Sequence, residues 1–425
     1  MTDIHLTAAA SKVRRRLVPF LFLCYIFAYL DRINVGFAAL QMNAALGFSA
    51  EVYGFGAGIF FLSYTAFEVP SNIILARVGA RRWIARIMIT WGVISAGMML
   101  VRDAPTFYGM RFLLGAAEAG FFPGIIYYLT RWVPARERAR TVASFMTAVV
   151  TAGIIGGPVS GALLSLDGLG GFAGWQWMFL LEGIPAAVMG VVVLRVLDES
   201  PAEAAWLTPA ERAALTARLA EEASAGGDGA HAVGEALRHR WLWVLALVYF
   251  VVPVTLYAFG FFLPQILLAA FTGTPFQIGV LSALPYLAGA AGMVATSRHS
   301  DRTGERRWHV AAAGAVGGVA LVGAAFVHGL VPSLALLSIA MLGLASMFGP
   351  FWTLATSFVT GEGAAAGIAL INAVGNIGGF VGPYAIGALH DRTESFSAGL
   401  ILVGFVLLAG GALVLVVPDR DVGRG

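Results

Sequence analysis

"RVGARRW", Arg77 to Trp83, returns as "RTGERRW", Arg302 to Trp308, 225 residues later. The same interval carries Gly157–Pro158 onto Gly382–Pro383, and Gly153 and Gly157 onto Gly378 and Gly382. Three features recurring at one interval read as a duplication, two halves of similar fold in the same orientation. The surroundings of the copies identify the solvent. The chain has 425 residues, 59% hydrophobic and 12% charged, whereas a soluble domain carries about a quarter charged residues. Runs such as "WLWVLALVYFVVPVTLYAFGFFLP", Trp241 to Pro264, match the ~20 apolar residues that cross a bilayer. Alternation with the period of a strand is absent, which excludes a membrane barrel.

Twelve spans are expected, near 17–40, 52–75, 83–102, 105–131, 141–166 and 174–197, then 241–270, 277–298, 308–329, 331–358, 364–389 and 395–417. The division is an N-terminal half (1–197), a hydrophilic linker (198–240) and a C-terminal half (241–425). With the N-terminus in the cytoplasm, 23 of the 27 basic residues lie on that side. Arg102 and Arg392 fall outside, and Arg32 and Arg111 within spans. That asymmetry places both termini in the cytoplasm and explains the basic balance as topology rather than nucleic-acid binding. The first apolar run is too long for a signal peptide, contains Asp31 and Arg32, and lacks a small-residue cleavage site. In the linker, Thr208 and Glu211 form a capping box around Pro209, so a short amphipathic helix should start there. "SAGGDGAHAVGEA" after it reads as a flexible tether.

Several classes are excluded. Cys24 is the only cysteine, so no internal disulfide forms. The seven histidines lie in tails, loops or span ends without metal spacing, and no nucleophile triad is visible. No enzyme, cofactor or metal is therefore expected. Linker and tail are too short and polar for the output domain of a sensor. A parallel repeat of six-helix halves points instead to a transporter with its site at the midplane between them. Gly153, Gly157 and Gly161 share one helix face, where small residues let helices approach closely.

On these residues the chain resembles the major facilitator superfamily. The family's loop after spans two and eight has a glycine, an Asp-Arg pair, a glycine and two basic residues. "SDRTGERR" at Ser300 to Arg307 fits, while "NIILARVGARR" at Asn72 to Arg82 has Ala76 for the acid and Asn72 for the glycine. The resemblance implies a gating role for Arg77, Arg81, Asp301, Arg302 and Arg306, and the first copy lacks the acid of the family's ion pair. On composition alone, the same arginines could simply anchor topology.

The spans also carry charges, and an unpaired charge at the bilayer centre costs roughly 2.5–3.5 kcal/mol on insertion scales. Tyr25, Tyr29, Arg32 and Gly36 share a face of span one, with Asp31 about 100° away. Arg111, Gly115 and Glu118 share a face of span four, and Tyr64 and Glu68 one of span two. Span eleven offers Asn372 and Asn376, and the second half holds almost no buried charge. These could be ion pairs that only join helices, but buried pairs stabilise weakly. Alternatively, arginine receives a substrate carboxylate bidentately while a buried carboxyl takes up a proton. "YLDRINVGFAAL", "EAGFFPGIIYYLTRWVP", "GWQWMFLLEGIP", "SDRTGERRWH" and "INAVGNIGGFVGPYAIG" resemble the anion:cation symporter family, in its tartrate, phthalate and 4-hydroxyphenylacetate permease branch. That resemblance implies a monomeric inner-membrane symporter for protons and a small organic carboxylate, a sugar acid being a further possibility. It implies proton coupling for Asp31 and Glu118. Arg32 becomes the carboxylate receptor, and Arg111 a partner for Glu118 or a second anion contact. Tyr29, Tyr64, Asn372 and Asn376 become substrate contacts. Glu68, nearer the cytoplasmic end, is assigned to gating and Glu182 to structure. The rival expectation is a proton-driven exporter of drugs or metabolites, which Arg32 disfavours for cationic cargo.

Overall fold

The computed structural model describes residues 2–224, 238–358 and 363–418. Most of the tether and the tail arginines Arg420 and Arg424 lie outside the described residues. The helices are α1 (Thr2–Leu46), α2 (Ala50–Val78), α3 (Ala80–Gly97), α4 (Ala104–Glu118), α5 (Phe121–Thr130), α6 (Ala135–Leu164), α7 (Gly174–Val196) and α8 (Pro209–Ser224). They continue as α9 (Arg240–Ala270), α10 (Pro275–Thr303), α11 (Arg307–Ala324), α12 (Leu330–Ser346), α13 (Phe348–Ser357), α14 (Gly363–Thr393) and α15 (Ser397–Leu413). Among the described residues, eleven helical stretches are long and apolar enough to cross a membrane. The twelfth in the expected order is α11, whose opening Arg307-Trp308-His309 dilutes an 18-residue helix.

Two spans differ from expectation. Span four is α4 and α5, broken at Ala119–Gly120, where Gly120 takes a left-handed φ of 85° that glycine alone adopts freely. Span ten is likewise α12 and α13, broken at Met347. Both halves thus interrupt their fourth helix. Helix starts follow their local chemistry. Asp103 and Thr106 cap α4 reciprocally, as Thr274 and Gln277 cap α10 with Pro275 in its first turn. Thr208 and Glu211 close the capping box on α8. Lys12, on α1, reaches Glu211 at 2.8 Å, and that ammonium holds its carboxyl below the usual carboxylate range. The linker helix is thereby fastened to α1.

The halves meet along α2 with α14, α6 with α10 and α1 with α9. Their closest approach lies at the end of the bundle where α2 and α10 begin and α14 finishes. There Gly157 and Gly279 face each other backbone to backbone, as do Gly161 and Pro275. The small-residue face of α6 therefore serves the seam between halves. A polar latch closes the same end. The Asp391 carboxylate, from α14, accepts the amide N–H groups of Ala50 (2.9 Å) and Glu51 (2.8 Å), the exposed N-terminus of α2. Tyr384 donates to Glu51 at 3.0 Å. At the arginine-rich end, Arg14 on α1 pairs with Glu137 on α6 at 3.3 Å, and Arg138 on α6 with Glu222 on α8 at 3.5 Å.

Candidate functional site

A cavity of about 130 Å³ lies between the halves, walled by α1, α2, α5, α6, α9, α13 and α14. Arg32, Tyr29, Tyr64, Asn372 and Asn376 all line it. Sequence spacing had placed these residues on helix faces; the fold turns the faces toward one point. Most of the remaining wall is aromatic, including Phe60, Phe61, Tyr249 and Tyr257.

Arg32 is the cation of the cavity lining. Its Nη2 is ion-paired with Glu118 at the end of α4, and its Nη1 donates to the Tyr257 hydroxyl at 3.3 Å. Its guanidinium carbon lies 5.4 Å from the ring centres of both Phe60 and Tyr64, within cation–π range. Its Nε is buried and has no hydrogen-bond partner. Arg32 and Tyr257 are 225 residues apart, the interval of the repeat. The bond therefore joins equivalent positions of the two halves, where a pseudo-twofold axis would pass. Adding the repeat interval of 225 residues to Arg32 leads to Tyr257 from the sequence alone.

Two expected partners are elsewhere. Arg111 does not pair with Glu118. It is fully buried, donates to the carbonyls of Gly56 (3.4 Å) and Ala57 (3.0 Å), and rests over Phe60. Arg111 turns sideways to α2, whereas Glu118 turns to Arg32 on α1. Arg111 therefore braces α2 behind the cavity wall. Asp31 faces away from the cavity into the N-terminal half. It accepts from Trp91 Nε1 (2.7 Å), Ser95 Oγ (2.8 Å) and Asn34 Nδ2 (3.4 Å).

Glu68 approaches the cavity rim, where Asn376 Nδ2 donates to it at 3.5 Å. The remaining residues assigned to gating stay within their own halves in this conformation. Arg81 donates to the Leu194 carbonyl, and Glu199 accepts the Ala80 and Arg81 amides at 2.8 and 3.1 Å. Glu199 thus supplies the acid that the first loop lacks at Ala76. Asp301 pairs with Arg306 at 2.8 Å. Arg77 and Arg302 are exposed. Among the described residues, no cluster of three or more His, Cys, Asp or Glu could hold a metal ion.

The arrangement suits an anion. One arginine lines the cavity, and its counter-ion is a carboxylate able to release it on protonation. Comparisons with known proteins agree on the type of molecule. The family profile described as "Major Facilitator Superfamily" matches residues 21–383. A putative tartrate transporter of Agrobacterium vitis is 47% identical over 410 residues, covering 96% of this chain and 94% of its own. A quinolone resistance transporter of Acinetobacter baumannii is 40% identical, covering 95% and 93%. A solved bacterial homologue of the human lysosomal transporter Spinster shares the fold, with a TM-score of 0.77 over 95% of both chains at 17% identity.

Proposed function

Because the chain belongs to the Major Facilitator Superfamily, we propose that this multi-pass membrane transporter, working by alternating access, imports a small organic carboxylate together with a proton. The observation that carries this reading is the Arg32–Glu118 pair at the cavity. An entering carboxylate competes with Glu118 for Arg32. One guanidinium in a low-dielectric site does not neutralise two anions, and a buried carboxylate deprived of its counter-charge takes a proton instead. Substrate on Arg32 thus goes with a proton on Glu118. Losing either restores the original pair, which couples the two movements without a separate gate. Tyr257 hydrogen-bonds Arg32 from the other half. A change of partner at Arg32 is therefore felt on both sides of the seam, as rocking requires.

The cargo belongs to the range of tartrate, phthalate, hydroxyphenylacetate and sugar acids. The name of the Agrobacterium relative supports a hydroxy acid, and the aromatic wall an arene. We place the halves at 1–197 and 241–425, both termini in the cytoplasm and the protein as a monomer in the plasma (inner) membrane. The arginine distribution supports that orientation. The latched end is then the outer face, and the conformation faces inward.

The test uses proteoliposomes loaded at neutral pH and diluted into acidic buffer with labelled carboxylates, with and without a protonophore. Protonophore-sensitive uptake supports symport. No carboxylate uptake, with pH-driven efflux of a drug, would favour proton-driven export instead. The quinolone-resistance name of one relative supports that second reading.

A further inference from the structure

A second cluster of ionisable groups lies in the N-terminal half, between α1, α3, α6 and α7, behind the cavity wall. Its members are Asp31 and Asn34 on α1, Trp91 and Ser95 on α3, Ser160 on α6 and Glu182 on α7. Asn34 and Glu182 are 1% and 6% exposed. Gly92 and Gly183 bring α3 and α7 into backbone contact beside Glu182. Among the described residues, no basic side chain hydrogen-bonds to Asp31, Asn34 or Glu182. The nearest cations are occupied elsewhere, Arg32 by Glu118 and Arg111 by the carbonyls of Gly56 and Ala57. From outside the cluster, the charges of Glu118 and Arg111, one of each sign, also act on Asp31.

The hydrogen bonds show an imbalance. Asp31 has three donors around it. Glu182 has one, the Ser160 hydroxyl, which donates to Oε1 at 2.8 Å. Its Oε2 has no donor, and neither does Asn34 Oδ1, whose amide nitrogen is turned to Asp31. The Asn34 amide also lies within hydrogen-bonding reach of the Glu182 carboxyl, so it stands between the two acids. Two buried acceptors thus stand unpaired in one compartment, which is costly. A single hydrogen on Oε2 pairs both, with Glu182 as donor and Asn34 Oδ1 as acceptor. Turning the amide round pairs Glu182 only by taking the Asn34 donor from Asp31.

We infer that Glu182 is a proton-binding site distinct from Glu118. It is a carboxylic acid whose Oε1 accepts from Ser160 and whose Oε2–H donates to Asn34, with Asp31 as the ionised member of the pair. The single amide of Asn34 serves two carboxyl groups, so the cluster holds one proton in this conformation. A second proton would have to go to Asp31 and release Trp91, Ser95 or Asn34, loosening α1 from α3. The role in transport rests on the symport reading; the occupancy of Glu182 does not.

The test is infrared difference spectroscopy on the purified, folded transporter at neutral pH. The carbonyl stretch of a protonated carboxylic acid should be present, should shift in D₂O, and should vanish in Glu182→Gln. Gln keeps the shape and a donor for Asn34, so the fold should persist. Glu118→Gln should leave the band in place. Ser160→Ala removes the donor to the carbonyl oxygen and should move the band to higher frequency, which tests the assignment even if the Glu182 variant fails to fold. A spectrum without such a band, or a band unchanged by both the Glu182 and Ser160 variants, overturns the inference. None of these readings depends on carboxylate uptake, so a failure of symport would be seen separately in proteoliposomes.

Discussion

Gly161→Ala probes the seam on which alternating access depends. A Cβ at Gly161 would lie 2.5 Å from the Pro275 carbonyl oxygen and 3.0 Å from Phe276 Cα. A carbon and a carbonyl oxygen approach no closer than about 3.3 Å even in weak hydrogen bonds. The clash is with backbone, so α6 and α10 must separate by roughly the missing 0.8 Å. Overpacking of this kind costs about 1–3 kcal/mol, which depopulates the state closed at this end by about 5- to 150-fold relative to one open there. The open state is spared because the two backbones part in it. Spin labels at Leu169→Cys and Thr272→Cys report the change from opposite sides of the seam. Both positions are exposed, while the native Cys24 is buried and stays unlabelled. The variant's distance distribution should gain a longer component, and uptake should fall. A distribution identical to that of the unmodified protein would refute the reasoning.

Arg32→Ala should abolish carboxylate binding even at acidic pH, measured as loss of ligand-induced thermal stabilisation. It also leaves Glu118 buried without a counter-ion, a loss of about 3–5 kcal/mol, which a lower melting temperature at neutral pH would reveal. Glu118→Gln should lose accumulation driven by a pH gradient while retaining exchange of labelled for unlabelled substrate; full pH-driven uptake would remove Glu118 from coupling. Asp391→Asn should raise labelling at the latched end by membrane-impermeant reagents, because the amide no longer caps α2 with a charge. The pH dependence of the linker helix follows from Glu211. Its folded carboxyl titrates below the unfolded value, so its contribution is present above that value and lost as pH falls through the folded one. Proteolysis at α8 should accelerate in acid, and Glu211→Gln should cleave at the acid rate already at neutral pH.

The sequence revealed periodicities, and the structure shows how far those reach. A repeat interval of 225 residues is a statement about fold, and it holds down to the Arg32–Tyr257 contact. Helix-face spacing grouped Tyr29 with Arg32 and Asn372 with Asn376, and these residues line one cavity. Spacing does not say which way a face turns within the bundle. Asp31, one residue from Arg32, points about 100° away and meets Trp91 and Ser95 rather than the cavity. Arg111 and Glu118 share a face yet find separate partners on α2 and α1. Nor does spacing reveal caps supplied from a distance. Glu199 caps α3 from the end of the first half, and Asp391 caps α2 from the second, 340 residues beyond Glu51. No local motif marks either acid.

The exchange of partners at Arg32 is tested most directly by counting protons. Purified transporter in weakly buffered detergent solution is mixed with a carboxylate it binds, and an indicator dye follows the pH. Each bound anion should take up one proton in the unmodified protein and none in Glu118→Gln, which should still bind. Binding without proton uptake in the unmodified protein, or uptake unchanged in the variant, would contradict the account.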